Sequence, residues 1–244
     1  MTLPAMDTTA PILIIGGFAS HWQTYRPLQA ILQTVAQRQV FIAPLTLLDW
    51  LGVLVSDDYG GLLQQLDQSV QATLRATNAE RLVIVAHSAG GVLARIYMGD
   101  QVYGRQRLVF NGFQRVETLL TLGTPHTTAR SGRIAGLNQV AFVQRTYPGA
   151  YWRFIRYVSV MGRAVQGKRN GTASERNAWQ SYQLVATDGG LAGDGIIPLA
   201  YGLLEGAQHI ILDGIRHDPR PGAPWYGQDA EVVRRWWGPG HEIV

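Results

Sequence analysis

The chain has 244 residues, 46% hydrophobic and 16% charged, with no cysteine and a formal net charge of +4. That length suits one sizeable core and is short for two α/β domains, and the excess of apolar over charged residues excludes a largely disordered chain. Without cysteine there is no disulfide, no thiolate metal site and no cysteine nucleophile, while the charge alone is compatible with nucleic acid, anionic lipid or neither.

Residues 1–11 carry no basic stretch ahead of an apolar core, and the apolar run Ile12 to Ile15 is far too short to span a bilayer. No signal peptide or membrane span is expected, and a cytoplasmic or loosely membrane-associated protein follows. Pro11 to Ile15 reads as a buried strand ending at Gly16-Gly17, followed by a helix over Leu28 to Ala36 and a strand over Gln39 to Ala43. Leu62, Leu63, Leu66, Val70 and Leu74 fall on one face of a helix spanning Asp58 to Arg75, with Asp57 or Asp58 as its cap.

Leu82 to Ala86 is a fully apolar strand that runs into His87-Ser88-Ala89-Gly90-Gly91 and a helix over Val92 to Met98. A further strand, Val116 to Leu122, ends at Gly123-Thr124-Pro125-His126. Between His126 and Asn177 nine basic residues, Arg130 through Arg176, face one acid, Glu175. There the alternation of strand and helix breaks, which predicts a basic, aromatic-containing cap or lid insertion at about 127–180. Strands are expected again at Tyr182 to Ala186 and His209 to Leu212, and an amphipathic helix over Ala230 to Trp237. The expected whole is one α/β domain, 1–244, with six or seven strands in a mostly parallel sheet and helices on both faces.

A serine hydroxyl is a poor nucleophile until a base takes its proton, so a reactive serine must be presented to an imidazole. A tight strand-to-helix turn does this, provided the residues two places either side of the serine are small. Here those residues are Ala86 and Gly90. The competing reading, that Ser88 only caps the following helix, is the weaker one because a buried strand precedes it and Gly90-Gly91 follows. Ala86-His87-Ser88-Ala89-Gly90 resembles the nucleophile turn of the α/β-hydrolase family, in particular its lipase and esterase branches, with Ala86 where glycine is usual.

The resemblance implies the chain order serine, acid, histidine. His21, His87 and His126 are then out of order, and His241 lies in a Pro/Gly-containing tail. Of the two histidines left, His209 falls within a strand and His217 in a loop beyond it. A loop imidazole can swing over the nucleophile, so His217 is favoured. For the acid, Asp188, Asp194 and Asp213 are candidates. Gly193-Asp194-Gly195-Ile196-Ile197-Pro198 resembles the stretch that carries the acid in many family lipases, which favours Asp194, whereas Asp188-Gly189-Gly190 reads as a turn.

By the same resemblance the backbone amides of Ala89 and Phe18 form the oxyanion hole, Gly16-Gly17-Phe18 corresponding to a His-Gly-X segment with Gly16 in place of histidine. Gly16 to Ser20 has neither the full G-x-G-x-x-G spacing nor the P-loop lysine, so nucleotide binding is not expected. Leu122 to His126 resembles a stretch found in lipases and in inositol-deacylase-like relatives. Gly17, His87 and His126 are candidates for lining the pocket, a structural hydrogen bond being the competing role for His126.

Tyr147, Tyr151, Trp152, Phe154 and Tyr157 accompany the arginines of 127–180, a composition suited to peripheral contact with an anionic membrane. The plainer reading, a solvated basic surface over an aromatic core, is favoured, and no nucleic-acid motif accompanies the charge. The expected activity is hydrolysis of an apolar acyl ester, small-molecule or lipid, by Ser88, Asp194 and His217 with no cofactor or metal. Acyl transfer or thioester cleavage by the same residues is the alternative, and a non-catalytic lipid- or partner-binding fold the second.

Overall fold

The computed structural model describes residues 9–130, 137–219 and 224–237. Its centre is a six-stranded sheet built from β1 (Ile12–Ile15), β2 (Val40–Ile42), β3 (Leu82–His87), β4 (Val116–Leu122), β5 (Arg156–Arg163) and β8 (Gln208–Asp213). The strand order is β2-β1-β3-β4-β5-β8 and every pair is parallel. A separate antiparallel pair joins β6 (Val165–Gln166) to β7 (Ala192–Gly193).

Parallel strands need covered faces, and both faces are covered. On one, α1 (Arg26–Ala36) and α8 (Ala230–Trp237) bring Leu28, Leu32, Val233 and Trp236 onto Ile12, Ile14, Val83 and Val85. On the other, α2 (Leu47–Ser56), α3 (Gly60–Thr77), α4 (Ala89–Tyr97) and α5 (Asn138–Thr146) bury Trp50, Leu66, Leu93 and Val143 against Leu13, Ile84 and Leu119. Because the chain leaves β1 for one edge and returns to β3 on the other side of it, the strand order reverses between β1 and β3. A crevice opens outside the carboxyl ends of the strands at such a point. The loop of Gly16-Gly17 and the turn of Ser88 meet there.

Three local expectations are corrected. The stretch 127–180 is not a continuous excursion from the sheet, because β5 lies within it and pairs with both β4 and β8. Arg156 and Arg163 at its two ends disguise a strand whose interior is wholly buried. Tyr182 to Ala186 is the end of a helix, α6 (Ala173–Ala186), and not a strand. A capping box between Thr172 and Glu175 starts that helix, and Ala178, Tyr182, Val185 and Ala186 then share its buried face. Finally, neither aspartate is the N-cap residue of α3, which is Tyr59: Asp57 ends α2 in a left-handed conformation, and Asp58 accepts the Gly60 amide at 2.6 Å from one residue outside the cap.

Of the aromatic residues in that basic stretch, Tyr147 and Tyr157 are buried and Trp152 stacks on Phe113 at 4.1 Å between centroids, while Tyr151 and Phe154 are partly exposed. The remaining helix, α7 (Leu199–Gly202), packs near β5 and β7. Among the described residues no helix is long and apolar enough to cross a membrane.

Candidate active site

β3 ends at His87, and the next residue turns the chain into α4. Ser88 adopts φ 54° and ψ −128°, a backbone conformation that an L-residue holds only when its surroundings impose it. Its N–H donates to Leu122 O at 2.9 Å, and its carbonyl accepts the Thr124 hydroxyl at 2.8 Å. The helix behind it lies so close to β1 that a Cβ on Gly90 would stand 2.5 Å from Gly16 O and 2.8 Å from Ile15 O. Ala86 is fully buried, so alanine fits where glycine is usual in the resembling motif.

His217 lies in the loop after β8, and Asp194 directly follows β7. The two loops are stitched together by the His217 N–H donating to the Asp194 carbonyl at 3.1 Å. His217 Nδ1 is 2.7 Å from Asp194 Oδ2 and His217 Nε2 is 2.8 Å from Ser88 Oγ. The ionised carboxylate can only accept, so Nδ1 carries the proton and the Nε2 lone pair faces the serine hydroxyl. Burial favours the neutral form of each partner, but the mutual charge and hydrogen bond outweigh it. The His217 pKa is raised and the Asp194 pKa lowered. Asp194 Oδ1 also accepts the amides of Ile196 at 3.0 Å and Ile197 at 2.8 Å, which holds the carboxylate in its ionised form.

The other side of Ser88 is formed by the loop after β1. A Cβ on Gly17 would stand 2.7 Å from Ser88 Cβ, so only glycine lets the loop come this close. One on Gly16 would meet the Tyr25 ring at 2.6 Å, where the resembling segment has a histidine. Phe18 follows, partly exposed and edge-on to Trp50 at 6.0 Å. Ala89 opens α4. Among the described residues neither the Phe18 nor the Ala89 amide donates to a protein acceptor.

Two residues expected to line the pocket do not. His87 is buried beneath the site, its Nε2 3.0 Å from the His217 carbonyl and its Nδ1 2.8 Å from Tyr25 OH. The carbonyl accepts only, so Nε2 carries the proton. Burial, then the charge of His217, lowers the His87 pKa to about 3. His126 is fully buried between Thr121 Oγ1 at 3.0 Å and the Arg95 guanidinium at 3.3 Å, which is the structural role weighed against pocket lining. His87 ends β3 and His126 lies in the loop after β4, and in both the ring nitrogens are taken up by hydrogen bonds to neighbouring elements.

Asp188 is exposed and accepts the Gly190 amide at 2.8 Å, closing its own turn. Asp213 pairs at the surface with Arg163 at 2.6 Å. His209 bonds Leu204 O at 2.7 Å, and His21 accepts the Gln23 amide at 3.3 Å. His241 lies outside the described residues. A cavity of about 470 Å³ beside Asp194 and His217 is lined by Ser174, Asn177, Arg216 and Asp218 among others. Among the described residues no group of three or more His, Asp or Glu side chains is placed to hold a metal.

Sequence reasoning missed Tyr25 and Tyr226. Tyr226 donates to Asp194 Oδ2 at 2.7 Å, and Tyr25 accepts the Gly17 amide at 2.9 Å. Neither lies in a motif, and a buried tyrosine in a sequence reads as core.

No family model matches this chain, and no curated protein is similar to it. Solved structures are. The mature lipase BlEst2 of Bacillus licheniformis superposes with a TM-score of 0.60 at 14% identity, over 90% of this chain and 88% of that one. Phospholipase PlaB of Legionella pneumophila gives 0.58 at 12% identity over 86% of this chain, which spans 54% of PlaB. A protein of Listeria innocua gives 0.54 at 12% identity, with 95% and 94% covered. At such identities the likeness is one of architecture: this chain has the α/β-hydrolase fold.

Proposed function

We propose that the protein is a serine carboxylic-ester hydrolase, acting on esters with an apolar acyl group through Ser88, His217 and Asp194. The observation that carries this reading is the continuous hydrogen-bonded series from Asp194 Oδ2 through His217 to Ser88 Oγ, at 2.7 and 2.8 Å, with the serine on a strained turn. His217 Nε2 takes the hydroxyl proton as Oγ attacks the acyl carbonyl, and the imidazolium is held by Asp194. The tetrahedral oxyanion accepts the Phe18 and Ala89 amides, which have no protein acceptor among the described residues and, at Ala89, sit at the positive end of α4.

His217 then gives its proton to the leaving alkoxide, so an alcohol departs and an acyl-Ser88 remains. Water, deprotonated by the same nitrogen, attacks that acyl group, and the proton returns to Ser88 as the carboxylic acid leaves. An apolar acyl group is supported by the partly exposed Phe18 ring, edge-on to Trp50 beside the Gly16-Gly17 loop. The lipase and phospholipase among the similar folds are compatible with it.

The test is labelling with a fluorophosphonate probe followed by peptide mapping, together with p-nitrophenyl esters of graded chain length. Labelling should fall on Ser88, and Ser88→Ala should abolish turnover with the thermal midpoint little changed. Near-wild-type turnover in Ser88→Ala sinks the mechanism. Product formed only when an alcohol acceptor is present, or only from thioesters, moves the reading to acyl transfer or thioester cleavage. Lipid binding without labelling or turnover moves it to a binding protein.

A further inference from the structure

The proposed chemistry leaves one buried ionisable group in direct contact with the acid unused. Tyr226 is fully buried, and its hydroxyl lies 2.7 Å from Asp194 Oδ2, the same oxygen that His217 Nδ1 approaches at 2.7 Å. The direction of its proton is fixed by geometry. Gly162 N–H donates to the Tyr226 oxygen at 2.9 Å and can do nothing else, so the phenolic proton points to the carboxylate, which can only accept.

The residue is held firmly where it is. Arg216 N–H, one residue before His217, donates to Pro224 O at 2.7 Å, and Trp236 Nε1 donates to Tyr226 O at 2.8 Å. Gly123, at φ +60°, covers the junction so closely that a Cβ there would stand 2.8 Å from Asp194 Oδ2, 2.9 Å from Tyr226 OH and 3.0 Å from His217 Nδ1. Among the described residues Asp194 thus receives four donors, two amides on Oδ1 and a phenol and an imidazole on Oδ2, and it is itself buried.

We infer that Tyr226 is a positioning residue that fixes the orientation of Asp194 and shares its charge with His217, and so sets the basicity of His217. The inference rests on the ester-hydrolase reading. The titratable groups facing His217 are Asp194, His87 and Asp218, with Tyr226 and Tyr182 across Asp194. His87 and the two tyrosines stay neutral through the working range, because burial disfavours their charged forms. Asp194 is therefore the charge through which Tyr226 acts. With the phenolic proton removed, the charge on Oδ2 acts on the imidazolium undivided, and His217 holds its proton more tightly. Activity that needs neutral His217 then begins at higher pH.

The experiment measures the rate of fluorophosphonate labelling at Ser88 against pH in wild type, Tyr226→Phe, Asp194→Asn and the double variant. Tyr226→Phe should slow labelling at neutral pH by roughly tenfold and move the acid limb to higher pH. In the Asp194→Asn background it should change little, since the group it acts through is gone. Losing the Gly162 partner also costs stability, so a second substitution keeps the test open if Tyr226→Phe folds poorly. Site-specific 3-fluorotyrosine at 226 retains the bond with a more acidic donor and should move the limb to lower pH. An unmoved acid limb with either residue at 226, or an equal slowing with and without the Asp194 carboxylate, overturns the inference while leaving Ser88 reactive. Wild type that does not label at Ser88 overturns the ester-hydrolase reading and this inference with it.

Discussion

Two buried imidazoles sit at the carboxyl ends of the sheet, each against a hydroxyl, and their chemistry is opposite. His217 has a carboxylate on Nδ1 and presents a lone pair to Ser88 Oγ at 2.8 Å. His126 has the Arg95 guanidinium on Nδ1 at 3.3 Å. Arginine can only donate, so His126 Nε2 carries the proton and donates to Thr121 Oγ1 at 3.0 Å, whose own proton goes on to Val158 O at 3.3 Å. The pKa of His217 is raised, whereas burial and then the Arg95 charge lower that of His126 well below the ordinary value. On the proposed function, what separates the two is the acid behind the imidazole and the place of the hydroxyl it faces. Ser88 is half-buried on a turn, while Thr121 is buried within β4.

The sharpest way to break this contrast is to change the acid. Asp194→Asn should lower kcat by about four orders of magnitude with KM little altered, because the amide stabilises the wrong tautomer of His217. A drop of less than tenfold, measured with an ester the wild type turns over, would mean that His217 is oriented by something else.

The contrast also governs the response to acid. Below pH ~6.5 an unfolded chain protonates its histidines, but folded His126 and His87, with depressed pKa values, stay neutral. Each therefore lowers the stability by about 1.4 kcal/mol per pH unit below that point. His217, with a raised pKa, works the other way. Its contribution is full below ~6.5 and is lost as pH rises through its folded value. Asp194, with a lowered pKa, contributes above ~3.9 and loses that contribution as pH falls through its folded value. The expected result is a urea midpoint that falls between pH 6.5 and 5. A flat midpoint over that range contradicts the neutral assignment of His87 and His126.

His126→Ala should cost roughly 1–3 kcal/mol in denaturant unfolding, since it leaves Arg95 and Thr121 short of a partner. The folded fraction should keep kcat within a few-fold of wild type. Asp188→Asn is the smallest effect expected. Among the described residues its carboxylate bonds only its own turn at Gly190, so a change beyond about ±0.5 kcal/mol in stability, or any clear loss of kcat, would reopen the choice of acid.

Much of the frame is legible in the amino-acid sequence. The apolar runs of β1, β3 and β4 and the 3.6-residue spacing of α3 and α8 leave few alternatives, because one period suits one face. β5 is not legible, since arginines at both ends make it look like part of a basic surface, and the end of α6 reads as a strand because Tyr182, Val185 and Ala186 favour either form. Of the site, Ser88, Asp194 and His217 each stand out from their local sequence, and the fold brings them within hydrogen-bonding distance. His87 and His126 have neighbours that point to the pocket, yet His87 lies beneath it and His126 is buried in the loop after β4.

The sequence by itself determined where a strand, a tight turn and small neighbours present Ser88, since these are local properties, and it offered the residue types for the proposed chemistry. Only the tertiary structure decided which imidazole meets a carboxylate and which a guanidinium. It alone brought Tyr226 onto Asp194 and Tyr25 onto Gly17 and His87, because those contacts join residues far apart in the chain or depend on which way a side chain faces. Proton direction at each nitrogen follows from such partners, and no short stretch of sequence carries it.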